Sequence, residues 1–268
     1  MKNIKLNNND NKGVVRYKDH FQTTEQVNVY EEHEYGKDSY SSFIWKIQQK
    51  LLRDILNRFR GQINRPLRLL DFACGTGRVT SFVEKFVDDI VGLDISPAMV
   101  EVARNKTIKT KFIVGNILRD KDLLQSPYDV ITTFRFLLNA EDDIRRQILY
   151  RLRELIAPDG ILILNVHGNR NSIRHPVIIW QRWRQSRQKI NCNTNIMLNE
   201  LSPRETKQYL SETGFDVVEQ HGFGILPGII YRTPLRYMAS VIDRFAAGKR
   251  WSRNWSIDIV FVCKPKNM

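Results

Sequence analysis

Short, largely apolar runs, most of which end in a polar residue, recur along the first two thirds of the chain and predict buried β-strands. The runs are Leu69–Asp71, Ile90–Asp94, Lys111–Asn116, Tyr128–Phe134 and Ile161–His167. Between them, Val79–Phe86 and Ile144–Ile156 predict helices, and the turn residues Ala157–Gly160 are expected to end the second helix. Strands that alternate with helices in this way indicate an α/β fold with a parallel sheet.

A glycine-rich turn joins the first predicted strand to the first predicted helix. Gly75 and Gly77 allow the backbone to bend tightly and to approach a ligand, and the helix that follows offers free N–H groups. Asp94 ends the next strand, about twenty residues further on, where a carboxylate accepts hydrogen bonds from ribose hydroxyls. A dinucleotide site requires a third glycine where this chain has Thr80, so the pyrophosphate fingerprint is incomplete.

The segment Asp71-Phe-Ala-Cys-Gly-Thr-Gly77 resembles the turn of the class I S-adenosylmethionine (SAM) methyltransferases, with Ala73 in place of the usual first glycine. The resemblance extends from about Leu51 to Lys264 and includes a helix, the Pro158-Asp159-Gly160 turn and an apolar strand in the family's order. Further along, Ser202–Phe215 resembles a capped helix, and Asp216–Gln220 and Ser256–Lys264 resemble the family's last strands. The implied fold is a doubly wound, seven-stranded, mostly parallel sheet with an antiparallel last strand in a three-layer αβα sandwich.

The resemblance also implies the cofactor, SAM, with S-adenosylhomocysteine as its product. It places Asn116 at the adenine amino group, Ile117 beside the ring, and one of Tyr30, Tyr35 and Tyr40 over the cofactor. The full set of implied cofactor contacts is Asp71, Ala73, Gly75, Gly77, Asp94, Ile95, Met99, Asn116, Ile117, Thr133 and Tyr35.

Two segments that exceed the minimal family core carry most of the net charge of +13. Residues 168–199 hold six bases and no acid, and residues 222–255 hold six bases and one acid. We therefore expect an N-terminal tail and lid over residues 1–50, and a methyltransferase domain over 51–268 with insertions at about 168–200 and 222–255. Because tryptophans and tyrosines accompany the bases, we favour a lid over an anionic small molecule. Three alternatives remain: contact with an anionic membrane surface, nucleic-acid binding and a solvated face without a partner. Of these, we do not favour nucleic-acid binding.

The three cysteines are widely spaced and suggest neither a disulfide framework nor a metal site. We find no signal-peptide pattern and no apolar run as long as a membrane span. The expected location is therefore the cytoplasm, with peripheral membrane contact as an alternative, and the oligomeric state is left open.

Methyl transfer by in-line displacement requires placement of the acceptor and, for a hydroxyl, a base. His167 follows the fifth strand and is our candidate base, with loop shaping as the alternative. Arg135 follows the fourth strand and is our candidate for pairing with an anionic acceptor group, with a salt bridge to Asp142 or Asp143 as the alternative. Secondary candidates lie in the charged N-terminal segment: Glu31, Glu32, His33 and Glu34.

These features predict methyl transfer to a small or lipid-linked metabolite, and we favour an oxygen of a sugar, a carboxylate or a specialised natural product as the acceptor atom. Thr133-Phe-Arg-Phe136 differs from the Asn/Asp-Pro-Pro-aromatic turn of enzymes that methylate nucleobase amines. A peptide or protein acceptor, an RNA acceptor and a binding module without activity are the alternatives.

Overall fold

The computed structural model describes residues 23–25, 27, 31–32, 36, 39–187, 200–226, 230–231 and 233–267. Its strands are β1 (Arg68–Phe72), β2 (Asp89–Asp94), β3 (Lys111–Val114), β4 (Tyr128–Phe134), β5 (Ile156–His167), β6 (Phe215–Phe223) and β7 (Asp258–Pro265). Its helices are α1 (Tyr40–Arg60), α2 (Thr80–Val83), α3 (Pro97–Arg104), α4 (Phe136–Asn139), α5 (Asp142–Leu155), α6 (Arg174–Arg187), α7 (Pro203–Glu212) and α8 (Arg236–Ala246). Two 3-10 turns cover Glu84–Phe86 and Lys121–Leu123.

All seven strands form one sheet in the order β3-β2-β1-β4-β5-β7-β6. Strands β1 to β5 pair in parallel, and β7 runs antiparallel to both β5 and β6. The chain order reverses between β1 and β4, and open α/β sheets bind ligands in the crevice at such a reversal. The predicted fold class is therefore confirmed, and its topology places the candidate site at the carboxyl ends of these strands.

The sheet is buried on both faces, which explains the continuous apolar runs in the sequence. Neighbouring residues of β1 point to opposite sides: Leu70 belongs to the cluster that includes Leu149 and Leu152 of α5. Leu69 belongs to the cluster that includes Leu52 and Leu56 of α1. One helical layer thus covers each face, and the expected three-layer arrangement is present.

The turn predicted at Ala157–Gly160 is wrong, because β5 already begins at Ile156 and includes these residues. Tyr128 pairs with Ile156 and Val130 with Ile161, so β5 contains extra residues at this point and forms a bulge. A bulge tolerates proline because it lies outside the regular hydrogen-bond ladder. Asp159 faces outward there and pairs with Arg65, which lowers the pKa of the Asp159 carboxyl.

Two helices have other ends than the apolar pattern predicts. The helix expected over Val79–Phe86 is only the single turn of α2, followed by the 3-10 turn. The helix expected from Ile144 begins at Asp142, and its first turn contains Asp142 and Asp143, which the helix dipole favours.

The capped helix expected after Ser202 is present as α7, where Ser202 and Glu205 form a capping box. In the part of the chain that the structure describes, no helix has the length and hydrophobicity needed to cross a bilayer.

Candidate active site

A cavity of about 680 Å³ opens at the carboxyl ends of β1, β2 and β4. It contains eight of the residues singled out from the sequence: Ala73, Gly75, Asp94, Ile95, Met99, Asn116, Ile117 and Arg135. Phe72, Phe134 and Phe136 add aromatic surface, and Ile144 and Ile148 of α5 add aliphatic surface. The cavity therefore has polar groups at its β1–β2 end and a largely apolar wall toward α5.

The glycine turn lies at the entrance to α2 with left-handed backbone at Ala73, Gly75 and Gly77. The backbone N–H of Cys74 donates to the carbonyl of Leu93, which ties the turn to β2. A Cβ on Gly75 would meet nothing within 4 Å, so the backbone there is open to the cavity. A Cβ on Gly77 would lie 2.8 Å from Cβ of Ala103, so Gly77 allows α3 to pack closely. The two glycines thus have different tasks, and Gly77 does not itself line the cavity.

Asp94 is held at the end of β2 by two backbone N–H groups. Gly75 donates to Oδ2 at 2.8 Å, and Ser96 donates to Oδ1 at 2.9 Å. Burial raises the pKa of the Asp94 carboxyl, while the hydrogen bonds from Ser96 and Gly75 act in the opposite direction. Each oxygen still has a lone pair for another donor, so the carboxylate can accept two adjacent hydroxyls.

The structure does not place Asp71 in the cavity lining, in contrast to the sequence expectation. Its carboxylate is fully buried and accepts hydrogen bonds from Thr80 Oγ1 at 2.5 Å and from Thr132 Oγ1 at 2.7 Å. Burial raises the pKa of Asp71 to about 6 despite these two hydroxyls. Asp71 therefore joins β1, α2 and β4 beneath the glycine turn.

Thr133 is also outside the cavity lining: its side chain is fully buried, and its neighbour Phe134 lines the cavity. Tyr40, one of three tyrosines considered as a cover, packs edge-on against Tyr231 with ring centroids 5.1 Å apart. Tyr35, Tyr30, His33 and Glu34 lie outside the described residues.

The described part of the N-terminal segment contacts the rim of the glycine turn. Thr76 Oγ1 donates to Glu31 at 3.0 Å, and Lys106 pairs with the same carboxylate. Val27 packs against Met99, and Thr24 donates to Glu101 of α3 at 3.0 Å. Glu31 therefore has a structural role in this arrangement, and the backbone carbonyl of Glu32 accepts a hydrogen bond from the N–H of Gly36 at 3.0 Å.

His167 and Asp258 form a hydrogen-bonded pair at the same edge of the sheet. The register of β5 and β7 places the two residues opposite each other, with Nδ1 of His167 3.0 Å from Oδ2 of Asp258. Burial opposes ionisation of Asp258, but the neighbouring His167 and Arg135 hold the pKa of its carboxyl below the usual value. An ionised Asp258 accepts the proton on Nδ1, which leaves the Nε2 lone pair of a neutral His167 as an acceptor.

Arg135 stands between this pair and the cavity. Its guanidinium is 3.4 Å from Nε2 of His167 and donates to Ser41 Oγ at 3.3 Å. Asp142, one of the two acids considered as a salt-bridge partner of Arg135, pairs with Arg146 at 3.7 Å. The backbone of Arg135 is left-handed, with φ of 63°, which costs about 1–2 kcal/mol for a residue with a Cβ. Strain of this kind is concentrated at functional sites.

His167 does not line the large cavity, but Arg135 also lines a second, small cavity on the side of Asp258. That cavity has room for about one water molecule and is lined by Gln48 and Asn165. The Nε2 atom of Gln48 is buried there with no protein partner. A polar space thus connects the histidine–aspartate pair with α1.

Comparison with known proteins decides the family. A family model described as a methyltransferase domain matches residues 44–220. The chain belongs to this family. A dTDP-4-amino-2,3,4,6-tetradeoxy-D-glucose N,N-dimethyltransferase of Saccharopolyspora spinosa is 33% identical over 117 residues, which are 41% of this chain and 45% of the relative. A malonyl-[acyl-carrier protein] O-methyltransferase of Bacillus cereus is 29% identical over 132 residues, 46% of each chain.

The matched regions span a little under half the length of these curated relatives. Among solved structures, the magnesium protoporphyrin IX methyltransferase from Synechocystis with bound S-adenosylhomocysteine has a TM-score of 0.60 and 14% identity. That match covers 93% of this chain and 98% of the other. The plantazolicin methyltransferase structure has a TM-score of 0.57 and 16% identity, covering 91% of each chain. At these identities the structures show the class I methyltransferase fold.

SAM is the cofactor of this family, and the cavity of this methyltransferase fits it. Asp94 has acceptor capacity for the two ribose hydroxyls, and the open backbone at Gly75 permits close approach. Ile95, Met99 and Ile117 provide apolar surface for a purine. Oδ1 of Asn116 accepts from the backbone N–H of Leu118 at 3.0 Å, which fixes the amide, and the second lone pair of Oδ1 can accept from the adenine amino group.

Sequence reasoning missed Asp258, the partner of His167. The sequence shows an acid at the start of the last apolar strand. It does not show the antiparallel register that places this acid opposite His167. It also missed Ile144 and Ile148, whose spacing marks a helix face without showing that this face borders a cavity. None of the described residues of the two insertions lines the large cavity, so the lid over an acceptor stays a prediction.

Proposed function

We propose that this protein transfers the methyl group of SAM to an oxygen atom of a small or lipid-linked metabolite. The observation that carries the proposal is the Asp258–His167 pair, whose neighbour Arg135 lines the large cavity. A histidine oriented by a carboxylate is a suitable base for a hydroxyl acceptor. Sugars, carboxylates and specialised natural products are the acceptors we favour.

The residues at the β1–β2 end of the cavity would hold the cofactor, through Asp94, the backbone at Gly75 and the amide of Asn116. When bound, SAM supplies a methyl group on a positively charged sulfur. Because that charge disappears during transfer, the protein mainly has to place the acceptor oxygen in line and exclude water. The apolar wall formed by Phe134, Phe136 and Ile144 is suited to both tasks.

Asp258 would keep the Nδ1 proton of His167 in place, so that Nε2 receives the proton of the acceptor hydroxyl. The acceptor oxygen then gains the methyl group and loses its proton to His167. Arg135 now donates toward Nε2, and we propose that it turns to an anionic group of the acceptor, which opens Nε2 to the hydroxyl.

An amine acceptor is the second candidate. It is favoured by the similarity to the aminosugar N,N-dimethyltransferase, which covers less than half of each chain. A neutral amine also loses a proton after methylation, so the same base serves both reactions. The site therefore fits both acceptors, and the methylated product has to be identified to distinguish a hydroxyl from an amine acceptor.

The test is to incubate the purified protein with SAM carrying a ¹³C-labelled methyl group and a metabolite fraction, and to locate the methyl carbon by NMR. An O-methyl resonance that is lost with His167→Ala supports the proposal. An N-methyl resonance selects the amine acceptor. A product formed equally well by His167→Ala contradicts the role of His167.

A further inference from the structure

The helix α8 presents its large apolar side chains outward. All of the following are exposed, and we call them the apolar face of α8: Leu235, Tyr237, Met238, Val241, Ile242 and Phe245. Met238 is 62% and Phe245 69% exposed, while the buried side of the helix consists of Ala239, Asp243 and Ala246. A helix that only packed on the domain would bury the large residues, so the opposite arrangement marks an interaction site.

Buried polar contacts fix this orientation. Asp243 is fully buried and accepts from the backbone N–H groups of Ile225 and Leu226, at 2.9 and 3.3 Å. The hydroxyl of Tyr231 also donates to Asp243, and its ring packs against Phe43 of α1 with centroids 5.0 Å apart. Turning the apolar face inward would break all of these contacts, so its exposure is built into the fold.

The exposed charges of the segment that carries α8 all have one sign. Residues 222–255 contain six bases and a single acid, Asp243, which is the buried anchor. The exposed charges of the segment are therefore positive, and they include Arg236, Arg244, Lys249 and Arg250. Trp251 and Trp255 are more than half exposed beside them. Basic residues around aliphatic and tryptophan side chains are typical of helices that lie in the interface of a membrane.

The helix α6 repeats the pattern at the same edge of the sheet. It follows the carboxyl end of β5, and α8 lies in the segment after the carboxyl end of β6, which runs parallel to β5. Ile179, Trp180 and Trp183 are each about half exposed, and Arg184 lies over the Trp180 ring. The candidate cavity opens at this edge as well.

We infer that the apolar face of α8, together with the exposed tryptophans of α6, docks onto an anionic lipid bilayer. The positive charge of this surface decides between the possible occupants. A second copy would bring an equally positive surface against it. Nucleic acid would match the charge but would leave Leu235, Met238, Val241 and Ile242 uncovered. A bilayer satisfies both features, and docking would turn the edge that carries the cavity toward the membrane.

The experiment is co-sedimentation of the full chain with two kinds of vesicle, pure phosphatidylcholine and phosphatidylcholine with about one third phosphatidylglycerol. We expect binding to the anionic vesicles that weakens with salt, and little binding to the neutral ones. Met238→Glu/Phe245→Glu should weaken it at least about tenfold, because both side chains must leave water for the interface. Arg236→Glu/Arg250→Glu should weaken it similarly and reduce the salt dependence.

Matched controls change exposed residues outside this segment: Ile108→Glu/Val218→Glu for the apolar pair and Arg204→Glu/Lys207→Glu for the basic pair. These should bind vesicles like the unchanged chain, and all variants should keep SAM affinity, which shows that they fold. Absent binding, equal binding to both vesicles, or binding unchanged by Met238→Glu/Phe245→Glu would overturn the inference. So would a dimer in solution that this double variant dissociates, because a second copy would then occupy the face. Vesicle binding needs no methyl transfer, so this test can fail while the proposed function stands.

Discussion

At the scale of single residues, Asp94 is the side chain on which we expect cofactor affinity to depend most. Replacing it with alanine removes acceptors for two hydroxyls and releases the N–H groups of Gly75 and Ser96. Hydrogen bonds to a charged group contribute about 1.5–3 kcal/mol each, so Asp94→Ala should weaken SAM binding at least about tenfold in a calorimetric titration. Asp89→Ala, at the exposed other end of β2, is the control and should bind SAM normally. Unchanged affinity in Asp94→Ala would contradict the ribose assignment.

Asp258 should act through His167 as a positioning residue. Asp258→Asn keeps the shape but removes the charge that favours a proton on Nδ1, so kcat should fall about 10- to 100-fold while KM and SAM affinity change little. His167→Ala should lower kcat about 100-fold and remove the acid limb of the pH–rate profile. Asp216→Asn, on the exposed part of β6, serves as the control. A proportional loss of folded protein, with kcat per folded molecule unchanged, would mean that the pair is only structural.

Asp71 makes the stability of the domain depend on pH. Its pKa is raised from 3.8 to about 6 by burial, so the native state binds a proton more tightly than the unfolded chain. The free energy of unfolding should therefore fall as the pH rises from about 4 to about 6, by up to about 3 kcal/mol from this group. Asp71→Asn should flatten that part of the profile, measured by urea unfolding at several pH values. Parallel profiles for the two proteins would refute the shift.

The turn residues show what the sequence could reveal about individual side chains. The Asp71-to-Gly77 segment and Asp94 indicated the family, because the distance between them in the sequence is set by one unit of strand, turn, helix and next strand. The same pattern could not show that Asp71 and Thr133 are buried rather than in the cavity, since that depends on strand pairing and on Thr80 and Thr132. The Asp258–His167 contact likewise depends on a register between strands far apart in the chain.

At the scale of elements, the two glycines of the turn should respond differently to a Cβ. Gly77→Ala places a methyl group 2.8 Å from Ala103 at a φ of 74°, which should cost about 1–3 kcal/mol of stability. Gly75→Ala adds only the left-handed penalty of about 1–2 kcal/mol, because nothing lies within 4 Å of the new Cβ. We expect Gly77→Ala to lower Tm more and Gly75→Ala to lower SAM affinity more. The reverse order in both measurements would contradict these assigned tasks.

Element boundaries could be predicted where the pattern is local and strong. The strand β4 has the predicted ends because all seven of its residues are buried, and α7 begins at its capping box. The start of β5 could not be predicted, since Pro158 and Gly160 are ordinarily turn residues and only the bulge opposite β4 accommodates them. The outward apolar face of α8 was equally hidden, because a periodic apolar stripe does not tell whether it faces a core or water.

At the scale of the whole molecule, the sequence order of strands and helices was sufficient for the fold class, because right-handed crossovers leave few arrangements for such a chain. The acceptor is a different matter, since this fold serves many chemistries. The positive segments, the histidine–aspartate pair behind Arg135 and the largely apolar cavity wall toward α5 together favour a small or lipid-linked acceptor over a polymer. We therefore expect the methylated product among the lipids or small molecules of a cell extract.

The most direct measurement uses SAM labelled on its methyl group, incubated with the protein and a cell extract. The label is then separated into lipid, small-molecule, protein and RNA fractions, with Asp94→Ala as the control that should transfer little. Our proposal predicts label in the lipid or small-molecule fraction that depends on both Asp94 and His167. Label confined to protein or RNA would contradict it and would make the basic segments a surface for a polymer.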